Sequence, residues 1–290
     1  MATAIPHRIQ NRSAHPSLRT VALLLAAALL AACAGPRTAP QAPPLDAAQV
    51  AALVASPDRS EADRINDQRR KPQEMLLFIG VRPGMVALDL SAAGGYTTEL
   101  LARAAGPTGR VYGQNAPRGT GPGPAQPEGG MAPPPAAGSA PRPPLGGGLA
   151  GRASRLQEGH IIVVTQPFEH PVPADLAPGS LDLVTIMFNY HDLGHMGIDR
   201  AQMNRAVFAA LKPGSLFVIA DHAGRPGTGI SESGTLHRIE ESFLRAEVEQ
   251  AGFKFAGEGF FLRNPADPRD RNTPEPPMPK DEFVLKFVKP

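Results

Sequence analysis

Seven consecutive residues, Asn189-Tyr190-His191-Asp192-Leu193-Gly194-His195, put an amide, a phenol, two imidazoles and a carboxylate where the apolar run Leu181 to Phe188 ends. An imidazole that titrates near neutrality can take a proton from a weakly acidic hydroxyl or a protonated amine, which makes Tyr190 and His191 the candidate catalytic pair. The alternative is that His191 caps the loop by hydrogen-bonding to Asp192 or to backbone. His191 and His195 are also four apart, and Asp221-His222 ends another apolar run. With Asp192 they could hold zinc or iron if the segment were helical. Gly194 and Gly197 argue against a helix there and no H-E-x-x-H is present, so no metal is expected.

A second stretch, Met85 to Ala104, has the shape of a binding crevice. Val86 to Asp89 reads as a buried strand ending on an acid. Ser91, Ala92, Ala93, Gly94 and Gly95 then give a tight turn of small residues that backbone or ligand can approach closely. Tyr96 to Ala104 reads as a helix with Leu100, Leu101 and Ala104 on one face. Strand, turn and helix N-terminus together form a nucleotide-type site at the carboxyl end of a parallel sheet. Asp89 would accept hydrogen bonds from a ligand or from the turn's own amides. A branched side chain at Gly95 would meet a ligand seated on the helix and leave the fold unchanged. The dinucleotide pattern G-x-G-x-x-G does not fit, because its key positions fall on Ser91, Ala93 and Tyr96.

This stretch resembles motif I of the class I S-adenosylmethionine-dependent methyltransferases, hydrophobic strand then D-x-G-x-G-x-G, with Asp89 on the acid and Ser91, Ala93 and Gly95 on the glycines. Two of the three glycines are replaced. The resemblance implies S-adenosyl-L-methionine as cofactor, with Asp89, Ser91, Ala93, Gly94, Gly95 and Tyr96 around it. The family's acid on the ribose hydroxyls falls on Asn115, with Gln114 beside it, and a neutral amide bonds a hydroxyl more weakly than a carboxylate. Gln166 and Phe168 stand where the family contacts adenine, and Asn189 stands at the same edge of the sheet. LKPGSLFVIADH, residues 211–222, is similar to the family's LKPGG-strand-D, and the last two strands resemble its terminal antiparallel hairpin. The implied fold is α/β, a doubly wound, mostly parallel seven-stranded sheet, Rossmann-like. A Tyr-His-Asp cluster after strand four is similar to one group of bacterial predicted methyltransferases. Methyl transfer mainly requires nucleophile and methyl to be held in line. An unidentified acceptor would then be the second partner; a methyltransferase-like binding protein without turnover is the alternative.

These residues need elements to position them. Further strands are expected at Arg110 to Gly113, His160 to Thr165, Leu181 to Phe188, Leu216 to Ala220, Phe253 to Leu262 and Phe283 to Val288. Helices are expected over Ser60 to Arg70, Pro72 to Ile79, Asp199 to Leu211 and His237 to Gln250, and Ala47 to Val54 could form a short one. Strand and helix alternating at this spacing means a parallel sheet covered on both faces. The charged helix at Ser60 to Arg70 is either a solvated face or a lid over the crevice. Ala116 to Ala150, rich in glycine, proline and alanine, reads as a disordered surface insertion within one domain.

The 290-residue chain is 42% hydrophobic, with a formal net charge of +2, so no nucleic-acid footprint stands out. Arg8, Arg12 and Arg19 precede an apolar run, Val21 to Leu30, that suits a signal peptide rather than a membrane span. Leu30-Ala31-Ala32-Cys33 looks like a bacterial lipobox, and Cys33 is the only cysteine. The expected organisation is a lipoprotein signal peptide over 1–32, a Pro/Ala-rich tether over 33–59 and a methyltransferase-like domain over 60–290. Lipidated Cys33 would tie the chain to a membrane. Ala34 behind it points to the periplasmic face of the outer membrane, by analogy with enterobacterial lipoproteins.

Overall fold

A computed structural model describes residues 1, 41–117, 148–156, 160–274 and 276–290. The expected signal peptide apart from Met1, Cys33, the first residues of the tether (33–40) and nearly all of the Gly/Pro insertion lie outside these residues.

The sheet forms around strands whose side chains leave no polar face. β1 (Val86–Leu90), β2 (Arg110–Asn115), β3 (Ile161–Thr165) and β4 (Leu181–Met187) are parallel, as is β5 (Leu211–His222) beside β4. All seven positions of β4 are buried, as expected for the middle strand of a sheet covered on both sides. β6 (Lys254–Gly259) and β7 (Glu282–Val288) are antiparallel to one another, and β7 runs antiparallel to β5. The order is β3-β2-β1-β4-β5-β7-β6, a seven-stranded mixed sheet with the turn after β1 at its middle. That is the doubly wound architecture with a C-terminal hairpin expected from the sequence.

The helices are α1 (Ala47–Val54), α2 (Glu61–Arg70), α3 (Pro72–Ile79), α4 (Tyr96–Ala105), α5 (Gly148–Arg155), the single turn α6 (Asp192–His195), α7 (Arg200–Ala210) and α8 (Glu241–Gln250). One apolar core packs Val50, Leu76, Ile79, Leu100, Leu101 and Val111 on one face of the sheet. The other gathers Tyr190, Met203, Val207, Leu244 and Phe253 on the opposite face.

Four boundaries differ from the sequence expectation. The ordered domain begins before residue 60: Asp46 and Gln49 form a reciprocal cap on α1, and Val50 and Val54 are buried in the core. The insertion ends earlier than residue 150, because Gly148 opens α5 and Leu149 is buried. A single leucine and arginine in a glycine-rich stretch carry too weak a period to announce a helix. The last helix starts at Glu241, not His237. His237 has φ 51°, and Ile239 makes an isolated bridge to Ala223. Gly194 does not prevent α6, which takes only one turn and ends before Gly197 turns left-handed at φ 69°.

Candidate functional site

The turn after β1 keeps a glycine backbone without the glycines. Ser91, Ala93 and Gly95 have φ of 53°, 48° and 85°, the left-handed region that side chains disfavour. Neighbours hold this strained shape. Gln114, fully buried, accepts from Ser91 N at 3.1 Å and donates to Gln166 O at 2.6 Å. Asn115 Oδ1 accepts from Ala93 N at 2.8 Å, and its Nδ2 donates back to Ala93 O at 3.2 Å. Asn115 therefore brackets the turn with both ends of its amide. The ribose role expected for it would have to use what those bonds leave.

Asp89 also differs from expectation. Its carboxylate accepts from Thr98 Oγ1 at 2.6 Å and Thr185 Oγ1 at 2.7 Å, and meets neither the turn amides nor open space. Burial pushes its pKa up to about 6 against the two hydroxyls, which hold it down. It ties β1, β4 and α4 together beneath the crevice. Gly95 is likewise enclosed by protein: a Cβ there would stand 2.8 Å from Leu149 Cδ1 and 3.0 Å from Arg152 Cδ, both on α5. A valine would strike the chain's own helix, so the expected unchanged stability does not hold.

α2 lies across this edge as a cover, not a solvated face. Asp63 is buried against Arg152, which also pairs with Glu99 and donates to Gly94 O at 2.7 Å. Burial would raise the Asp63 pKa, and the Arg152 contacts more than reverse it. Asp67 takes a forked pair of bonds from Arg59 and one from the Tyr96 hydroxyl at 2.6 Å. Tyr96 thus stands beside the turn, with burial first and Asp67 second raising its pKa. Under α2 and α3 runs an apolar cleft lined by Arg70, Met75, Tyr96, Thr97, Met187 and Phe188. The N-terminus of α4, capped by Gly95 with no side-chain hydrogen bond, opens beside it.

Phe188 is a residue the sequence did not single out. Its φ of 62° is a true outlier for a bulky side chain, and its ring lies under Arg69 and Arg70 at 4.9 and 4.6 Å. Its amide still donates to Ala220 O on β5, but the left-handed φ ends β4 at Met187, one residue before the sequence expectation.

The polar cluster after β4 divides between the two faces. Asn189 joins the crevice: Ser91 Oγ donates to its Oδ1 at 2.7 Å, and its Nδ2 donates to Asp192 Oδ2 at 2.8 Å. Tyr190 leaves it, its ring in the opposite core and its hydroxyl bonded to Asn204 and Glu247. Asn189 and Tyr190, adjacent in the turn after β4, thus belong to opposite faces of the sheet. Phe168 is in that opposite core as well, and Gln166 is placed by backbone bonds to Asn115 and Gln114. His191 is fully buried between two carboxylates, with Asp221 at 2.6 Å from Nδ1 and Asp192 at 3.1 Å from Nε2. Burial would lower its pKa; the two carboxylates outweigh that and raise it to about 10. A proton held so firmly leaves no base near neutrality.

Three further histidines stand around it. His222 is 5.3 Å from His191 between ring centres, His237 is 5.6 Å, and His195 is 5.8 Å from His237. His191, Asp192 and His237 present one ligand atom each within 4.8 Å of one another.

The fold has solved counterparts. The chain is similar to a SAM-dependent methyltransferase from Aquifex aeolicus at 15% identity and TM-score 0.50, covering 85% of this chain and 100% of that one. It is similar at 15% identity and TM-score 0.51 to the complex of the Haloferax volcanii Trm112 activator with a putative methyltransferase, over 79% and 93%. An arsenic(III) S-adenosylmethionine methyltransferase from Chlamydomonas reinhardtii matches at 15% identity and TM-score 0.50, over 85% and 74%. At such identities the likeness establishes the methyltransferase fold. No family model matches the chain, and no curated protein matches it.

Proposed function

We propose that this chain is an S-adenosyl-L-methionine-dependent methyltransferase, exported and lipid-anchored through Cys33 at the cell envelope, acting on an acceptor that reaches the edge formed by Ser91, Asn189 and Asp192. The observation that carries the reading is the left-handed backbone at Ser91, Ala93 and Gly95, the three positions of the motif's glycines. Two of them keep that shape against the preference of their own side chains, which an ordinary strand-to-helix turn would not require. The residues fit the cofactor in a second respect. The uncapped N-terminus of α4 offers amides to an anionic group, and the adjoining cleft is apolar.

When bound, the cofactor would supply an electrophilic methyl group. The chain's part is to seat it on the turn, to exclude water with α2 and to present the acceptor in line. With Tyr190 turned away and His191 holding its proton, the favoured acceptor is one that needs no protein base. The same two facts favour the second reading, a methyltransferase-like binding protein without turnover. Titration calorimetry of the full chain with S-adenosylmethionine and S-adenosylhomocysteine separates these from a fold without the activity. Saturable binding of both supports the proposal, and S-adenosylhomocysteine release on incubation with envelope extract selects the enzyme. No heat at millimolar ligand overturns both.

A further inference from the structure

Three of the chain's eight histidines converge on one carboxylate, from three separate segments. The end of β4 brings His191, α6 brings Asp192 and His195, and the glycine-rich loop ahead of α8 brings His237. Asp192 Oδ1 lies 3.1 Å from His191 Nε2, 3.0 Å from His237 Nδ1 and 3.9 Å from His195 Nδ1. Donors bound at about 2.0–2.1 Å to a tetrahedral ion stand about 3.3 Å from one another, which the His191 and His237 distances to Asp192 approach, and all three ligand atoms lie within 4.8 Å of one another.

The surroundings are built to aim these donors. Asp221, fully buried, takes His191 Nδ1 at 2.6 Å with one oxygen and the His191 amide at 2.7 Å with the other. That carboxylate–imidazole pair turns Nε2 toward Asp192, the outer-shell arrangement found behind metal-bound histidines. Asn189 fixes the other Asp192 oxygen at 2.8 Å. Ser233 Oγ accepts from the His195 amide and donates to His191 O, clamping the loop onto α6. His237 is held at φ 51°, with its side chain about 35% exposed.

We propose that His191 Nε2, Asp192 Oδ1 and His237 Nδ1 form a binding site for a divalent first-row transition ion of the zinc class, with His195 at its rim, the ion displacing the proton that His191 Nε2 shares with Asp192 and releasing it to solvent. Two imidazoles and one carboxylate suit zinc or ferrous iron and are poor ligands for calcium or magnesium. Three protein donors leave a coordination position open, and His237 marks its solvent side. Asn189 links the site to Ser91 of the turn. If the methyltransferase reading holds, an acceptor oxygen or sulfur could occupy that position. The ion itself does not depend on that reading.

The test is zinc uptake by the full chain, tag removed and treated with chelator, followed by calorimetry and elemental analysis without any S-adenosylmethionine. One equivalent is expected, with affinity at least 10-fold weaker in His237→Ala and in Asp221→Asn, and unchanged in His170→Ala, a surface histidine outside the cluster. Cobalt(II) should give a visible spectrum that His237→Ala abolishes. His191→Ala removes a fully buried ring and can fail to fold, so the partly exposed His237 decides. Absence of stoichiometric uptake, or uptake that His237→Ala leaves intact, overturns the proposal. Failure to bind S-adenosylmethionine would touch the functional reading alone.

Discussion

Ser91 and Ala93 show that small size and backbone freedom are different requirements. Both fit the space of a glycine, and both are held left-handed at a cost of roughly 1–2 kcal/mol each for a residue carrying a Cβ. Ala93 is exposed and contributes only its backbone, so Ala93→Gly should raise stability by about 0.5–1 kcal/mol in urea unfolding. Ser91→Gly relieves the same strain but gives up the hydroxyl bond to Asn189, so its net change should be near zero. A loss in both variants would mean that the turn is not strained. Asp89 makes a prediction in pH. Its folded pKa, raised to about 6, lies above the ordinary aspartate value, so the folded state binds the proton more tightly than the unfolded chain. The stability from this group is complete below about pH 4 and lost as pH rises through about 6. Asp89→Asn, which can still bond both threonines, should therefore flatten that part of the stability profile. The variant should gain about 1–3 kcal/mol over wild type at pH 7.5 relative to pH 4. A parallel pair of profiles would remove the assignment.

At the scale of elements, the central strands were legible because burial on both faces writes an apolar run, and Leu181 to Met187 is the clearest case. The turn and α4 were legible for the same reason plus the small residues between them. What sequence could not show was which polar side chains look inward. Asp63 and Arg152 lie 89 positions apart and meet only once α2 and α5 are packed, so a helix of mixed charge could be read as solvated. Tyr190 and Asn189 are neighbours in sequence and belong to opposite faces, which only the end of β4 decides. His237 was invisible as a neighbour of His191 because no local spacing relates them, whereas Asp221 could be placed beside it as the end of another apolar run. The α2–α5 contact gives this scale its prediction. Arg152→Met keeps the packing on Gly95 but leaves the buried carboxylates of Asp63 and Glu99 without their shared cation. Breaking one side of a buried pair is expected to cost about 3–5 kcal/mol, checked by denaturant unfolding. A loss below about 1 kcal/mol would mean that solvent reaches this pair and that α2 is not seated as a cover.

At the scale of the whole molecule the question is whether this fold is exported, as proposed. Among the described residues no helix is long and apolar enough to cross a membrane. Arginines, a short apolar run and LAAC follow in the order that lipoprotein processing needs, and the ordered domain starts within about 15 residues of Cys33, since Asp46 already caps α1. A tether of that length, rich in proline, would hold the domain close to the bilayer surface and leave the crevice facing the envelope compartment. The prediction is that labelled palmitate enters the wild-type protein and not Cys33→Ser, and that the mature wild-type chain has lost residues 1–32 by mass spectrometry. Cys33→Ser should remain with the precursor sequence, because the lipoprotein peptidase recognises the lipidated cysteine. Equal labelling of both proteins, or a mature chain beginning at Met1, would place the domain in the cytoplasm instead. The supply of S-adenosylmethionine would then need no special route, so this one experiment also decides whether a source of cofactor outside the cytoplasm must be sought.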